Sequence, residues 1–211
     1  MSQINWDQSI RHFIQQSASA SPTPGGGSTA ALAAALGSAM TSMVCNLTQG
    51  EKYAEAQPHM IETAKQMELT IRKCEELLAA DIASFDTYMS VLKMPSLTEE
   101  GKLLRKQAIQ LAAIRAIDVP LELMEVCKSG IEHASGIAES SNKNVISDLG
   151  IGAILFHSAA ESALLTIRIN LGSLKDAELK QQYADKAELL MKQITAIKTK
   201  TMAAVNDRLV N

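Results

Sequence analysis

One carboxylate in this sequence stands where a core residue belongs. Met60, Ala64, Met67, Ile71, Cys74, Leu78, Asp81, Phe85, Tyr88 and Leu92 recur at spacings of four and three. That spacing puts all ten on one inward-facing stripe of a helix, Asp81 among them. A carboxylate facing a core is costly unless it is paired or used. Burial raises its pKa and suits it to taking and giving protons. The competing reading is structural: a buried ion pair with a Lys or Arg, or a polar pocket at a helix end.

A second group of residues could bind rather than react. Gly25, Gly26 and Gly27 follow a proline and precede Ser28, and an alanine-rich helix follows. Such an opening points backbone N–H groups outward at the positive end of the helix dipole, where an anion or a carbonyl oxygen can be held. The run is neither a phosphate loop nor a dinucleotide fingerprint, because no GK[ST] follows and no GxGxxG follows a strand. A flexible loop, or close packing on another helix, would use the same residues.

Three weaker candidates remain. In NKNVISD, Asn142 and Asn144 suit turns, and Ser147 and Asp148 suit a helix cap. Arg168 and Asn170 lie late in a helix beside Ile167, Ile169 and Leu171, where an Asn satisfies terminal carbonyls. Lys52 and Tyr53 follow the glycine that ends the alanine-rich helix, and a lysine there is ordinarily solvated. The four histidines (His12, His59, His133, His157) fall on separate elements with no HxxxH or HExxH spacing, so no metal site is expected. No GxSxG is present either.

The elements that must carry these residues read as helices throughout. With 211 residues the chain suits one domain or two small ones. Aromatics are only 3%, so the core must come from Leu, Ile, Met and Ala, which favours closely spaced helices. Trp6, Ile10 and Phe13 suggest a short first helix. Ser28 is a cap candidate for a second, ending near Gly50. The third carries Asp81 and stops before Met94-Pro95. Thr98 starts a fourth, and Asp118, just ahead of Val119-Pro120, starts a fifth. Ser147 or Asp148 caps a sixth that reaches Leu171, and Asp176 opens the last. The expected fold is all-α: one bundle of about six to seven helices over residues 1–211.

Other classes are disfavoured. A net charge of −3 with no basic cluster argues against nucleic-acid binding. Cys45, Cys74 and Cys127 form no ligand-like cluster and read as buried thiols in a reducing compartment. The polar start is unlike a secretory signal. Residues 13–50 carry no Asp, Glu, Lys, Arg or His, yet Ala, Ser, Thr and Gly dominate them. A helix buried inside a protein fits that stretch better than a membrane span.

Taken in order, SASPTPGGGSTAALAAALGSAMTSMVCNLTQGEKY, DIASFDTYMSVLKMP, VPL, NKNVISDLGIGA and INL resemble the cyclodeaminase domain of formiminotransferase–cyclodeaminase. They also resemble its stand-alone bacterial relatives, including methenyltetrahydrofolate cyclohydrolases. The likeness runs from the first helix to the last. It implies an all-helical, dimeric, cytoplasmic enzyme whose substrate is a tetrahydrofolate carrying a one-carbon unit, with no metal or prosthetic group. The family's catalytic aspartate matches Asp81. By the same resemblance, the 25–27 backbone and Ser28 hold a carbonyl or carboxylate edge of the substrate. Asn142, Ser147 and Asp148 orient the pterin or the reacting centre, Asn170 completes the pocket, and Lys52 meets the glutamate tail. The glycine run and the SD block are expected to form one site, with the pocket placed in one chain or between two subunits.

The sequence departs from the family pattern at three places. Ala79 stands where many relatives have a second acid, Ser141 where many have glycine, and Thr166 where many have asparagine. The resemblance leaves cyclodeaminase and cyclohydrolase unseparated, and a chain without a transferase domain leans toward the second. A non-catalytic helical scaffold and an enzyme on another amidine or imine are the alternatives.

Overall fold

The computed structural model describes residues 6–210. Six α-helices follow one another: α1 Ile10–Ser17, α2 Gly26–Asn46, α3 Gln57–Leu92, α4 Glu99–Ile137, α5 Ile146–Asn170 and α6 Ala177–Val210. Single 3-10 turns stand before α3, before α5 and after α5, and the described residues contain no strand.

α2 and α5 form the centre, each packed on two or more neighbours. They run antiparallel, with the Gly26 end of α2 near Thr166 and Gly37 near Phe156. Small residues let the backbones approach: a Cβ added at Gly37 would lie 3.0 Å from the Gly152 carbonyl oxygen. Ala30, Ala31, Ala34, Ala153, Ala159, Ala160 and Ala163 are buried on the same two helices. Larger side chains from α3, α4 and α6 (Met67, Ile117, Met124, Ile131, Ile194) fill the volume around that thin seam. A low-aromatic, alanine-rich composition can build a core in this way, because small residues permit close helix–helix approach.

Both α2 and the stretch containing α5 are long and apolar enough to cross a bilayer, and 56% and 50% of those stretches are buried within the chain. Their remaining sides are half-buried or exposed and carry both apolar and polar residues. Leu36 on α2, Leu47 just after it, and Ile151, Ile154, Leu165 and Ile169 on α5 all face outward.

Several expected boundaries shift for identifiable reasons. Ser28 does not cap α2: Gly25 does, and Ser28 lies within the first turn, where its hydroxyl is engaged elsewhere. Neither Ser147 nor Asp148 caps α5, because a 3-10 turn capped by Asn142 precedes Ile146. The expected fourth and fifth helices are one, and Pro120 lies inside α4. Val119, Pro120 and Leu121 are all buried there, so tertiary packing overrides the usual break at proline. On α1, Phe13 packs inward while Ile10 points out, 77% exposed. Thr98 and Asp176 do what their positions suggest, accepting from Gly101 N and Leu179 N.

Candidate active site

Asp81 projects from α3 onto the first turn of α2. Ser28 Oγ donates to Asp81 Oδ2 at 2.7 Å, and the Ser28 backbone N–H also donates to the carboxylate. That N–H is one of the groups a helix start leaves without an internal partner. Gly27 is glycine for a steric reason: an added Cβ would lie 2.1 Å from Asp81 Oδ1 and 2.6 Å from Cγ. The carboxylate therefore occupies the space above Gly27 that any other residue would fill.

Burial lifts the Asp81 pKa above its ordinary value near 3.8, and the two Ser28 hydrogen bonds pull it part of the way back. Desolvation is the larger effect. No Lys or Arg contributes to that balance, and none of the ion pairs among the described residues involves Asp81. The carboxylate is braced by neutral donors only and keeps a raised proton affinity.

A cavity of about 260 Å³ opens beside it. Gly25, Gly26, Gly27, Asp81 and Asn170 all line it, together with Ser84, Phe85, Tyr88, Ala116 and Thr166. The wall opposite the glycines is tightly tied. Asn170 Nδ2 donates to the Ala116 carbonyl at 2.8 Å. Tyr88 Oη donates to Ser173 Oγ at 3.0 Å, and Gln110 Nε2 donates to the Ser173 carbonyl at 3.2 Å. These bonds pin the turn that follows Asn170 to α3 and α4.

The other expected site residues lie elsewhere in the chain. Asn142 donates from its backbone to Thr48 Oγ1 and from Nδ2 to the Leu47 carbonyl, which fixes it at the far end of α2. Ser147 and Asp148 open α5 at that same end. A helix of 21 residues separates the ends by roughly 30 Å. Lys52 is there too, its Nζ 5.4 Å from the Tyr53 ring centroid, in a wide, open cavity of about 870 Å³ with His59, Glu139, Lys143 and Arg208. Within one chain the glycine run and the SD block therefore do not meet.

Ser84, Phe85, Tyr88 and Thr166 join the cavity without having been singled out by the sequence as binding residues. The signal was available for the first three, which stand three, four and seven positions after Asp81 on one helix face. The departures fall in different places. Thr166 lines the cavity. Ala79 is exposed on the outer side of α3. Ser141 is buried and accepts from Arg208 Nη1 at 3.3 Å. The described residues contain no cluster of His, Cys, Asp and Glu arranged to hold a metal ion.

The chain is thus an all-helical, small-residue bundle with a buried carboxylate set over a glycine helix start. The chain belongs to the formiminotransferase-cyclodeaminase family, whose model it matches over residues 9–189. It is 34% identical over 203 residues to a methenyltetrahydrofolate cyclohydrolase of Methylorubrum extorquens, covering 96% of this chain and 98% of that protein. It is 32% identical over 205 residues to the formimidoyltransferase-cyclodeaminase of Sus scrofa, covering 95% of this chain and 36% of that longer protein. The crystal structure of a formiminotetrahydrofolate cyclodeaminase from Thermotoga maritima superposes with a TM-score of 0.86 at 25% identity, covering 95% of this chain and 97% of that one.

Proposed function

We propose that this chain is a folate-dependent one-carbon enzyme that hydrolyses the methenyl bridge of methenyltetrahydrofolate, with Asp81 as the proton shuttle. The observation that carries the reading is the Asp81 carboxylate itself, buried against Gly27, held by Ser28 and free of any cationic partner. The end-to-end likeness to a methenyltetrahydrofolate cyclohydrolase supports the choice of reaction.

The bridging carbon of the substrate is an amidinium and already electrophilic. Water adds to it as Asp81 takes a proton. Asp81 then returns that proton to the ring nitrogen as the carbon–nitrogen bond breaks, and the carbinol hydroxyl gives up its own proton to solvent, leaving a neutral formyl group. One carboxylate with a raised pKa serves both steps. The Gly26 and Gly27 N–H groups and Asn170 hold the pterin edge. A second reading, cyclodeamination, is favoured by the end-to-end fold match to a formiminotetrahydrofolate cyclodeaminase. There the bridge nitrogen attacks a formimino carbon, ammonia leaves, and the same aspartate moves the protons.

A cavity of about 260 Å³ lies below the roughly 300–1,000 Å³ of complete ligand pockets. It suits the bicyclic ring, with the rest of the folate outside. The exposed apolar residues of α2 and α5, Leu36, Ile151, Ile154, Leu165 and Ile169, support a homodimer. A two-fold axis crossing those antiparallel helices would bring one copy's Asn142, Ser147, Asp148 and Lys52 beside the other copy's glycine run. The three buried free cysteines favour a cytoplasmic setting.

Following the methenyl chromophore tests the reading. Its decay with methenyltetrahydrofolate supports hydrolysis, and its growth with formiminotetrahydrofolate supports cyclodeamination. No change with either substrate would refute both and leave the scaffold reading.

A further inference from the structure

Pro120 lies in mid-α4, where a proline is expensive and has no evident role in helix formation. Its effect falls on one atom. An ordinary residue at 120 would donate its N–H to the carbonyl four positions back, at Ala116. Proline has no N–H to give. The Ala116 oxygen is the one that accepts from Asn170 Nδ2, at 2.8 Å. Ala116 and Asn170 line the same cavity as Asp81.

We propose that Pro120 is a positioning residue for this active site: by withholding its N–H it hands the Ala116 carbonyl to Asn170 and so fixes the orientation of the Asn170 amide. A carbonyl acceptor demands the amide nitrogen, so the flip of the side chain is decided. With one Nδ2 hydrogen committed to α4, Asn170 keeps its Oδ1 acceptor for a donor on the bound ring. The asparagine is thus anchored from behind by a defect in a neighbouring helix. The turn after it is held by Tyr88 and Gln110, which sets the backbone while the Ala116 bond sets the amide. An alanine at 120 would return an N–H to the same oxygen, which would then divide between two donors and hold the Asn170 amide less firmly.

The inference rests on the reading in which Asn170 contacts the substrate, and a mutant cycle separates the two. Asn170→Ala, Pro120→Ala and the double variant would be compared in turnover and in urea unfolding. Asn170→Ala and Pro120→Ala are each expected to lower turnover about tenfold or more, with the same division between kcat and KM. The double variant is expected to be no worse than Asn170→Ala. The unfolding midpoint should fall in Asn170→Ala, where the carbonyl is orphaned, and fall much less when residue 120 is alanine. Wild-type turnover in Pro120→Ala beside an impaired Asn170→Ala would overturn the role of Pro120 and spare the substrate contact. Losses that multiply would do the same. Wild-type turnover in Asn170→Ala would remove the substrate contact and the inference with it. Should Pro120→Ala not fold, Asn170→Asp serves instead. It keeps shape and acceptor but cannot donate to Ala116 O, so it should be as impaired as Asn170→Ala, and full activity would overturn the proposal.

Discussion

Replacing Gly27 with alanine puts a methyl carbon where the Asp81 carboxylate lies. The added Cβ would stand 2.1 Å from Oδ1, and ordinary contact begins near 3.4 Å. The carboxylate must therefore retreat by about 1.3 Å, because closer approach is strongly repulsive. The bond from Ser28 Oγ, 2.7 Å long, cannot survive a displacement of that size away from α2. A hydrogen bond to a charged group contributes about 1.5–3 kcal/mol, while Gly→Ala in a helix returns roughly 0.5–1 kcal/mol. The expected net loss of stability is about 1–2 kcal/mol, measured as a drop in the urea midpoint. Turnover should suffer more, because a misplacement near 1 Å costs on the order of 100-fold. Gly26→Ala is the internal control. Its Cβ would meet nothing closer than Thr166 Oγ1 at 3.9 Å, so it should leave Asp81 in place, keep or raise stability, and lose far less turnover. If Gly27→Ala turned over as fast as wild type, the placement of the reacting group over Gly27 would be wrong.

Three further outcomes follow from the same geometry. Ser28→Ala removes a hydrogen bond that lowers the Asp81 pKa, so the acid limb of the pH–rate profile should move to higher pH. An unmoved limb would mean that Asp81 does not set it. The raised folded-state pKa of Asp81 adds stability that is full below its unfolded value near 3.8 and is lost as pH rises through the folded value. Asp81→Asn should therefore gain in stability relative to wild type as pH climbs across that window, which parallel urea titrations would read. Burial pushes the Cys45 thiol up to about 11 and the Cys74 thiol to about 12, and lifts Cys127 as well. A thiol reagent at pH 8 should label these cysteines only at the rate of unfolding, and fast labelling of the native chain would contradict their burial.

The residues of the cavity were unequally legible in the sequence. Asp81 was legible because a period of three and four exposes any polar residue on an apolar stripe. The glycine run was legible as a helix opening, though not as a steric necessity, since the contact between Gly27 and Asp81 spans 54 positions. Ser28 was misassigned as a cap because a hydroxyl at a helix start looks the same whether it bonds its own backbone or another helix. The merger of two expected helices into α4 was invisible for a related reason. Pro120 breaks a helix by local rules, and only Asn170, supplied from α5, accounts for the carbonyl it leaves. The expected meeting of the glycine run with Asn142, Ser147 and Asp148 does not occur within one chain because 21 residues of α2 lie between them. The two ends of one helix cannot share a cavity.

Whether Asp81 moves the proton is decided by a single isosteric substitution. Asp81→Asn keeps the size of the side chain and its place over Gly27 while removing its capacity as a base. Far-ultraviolet circular dichroism and urea unfolding at pH 7 should show a folded protein at least as stable as wild type. In the same preparation, the methenyl chromophore should change no faster than in buffer. A folded Asp81→Asn protein that converts methenyltetrahydrofolate or formiminotetrahydrofolate at the wild-type rate would contradict the account.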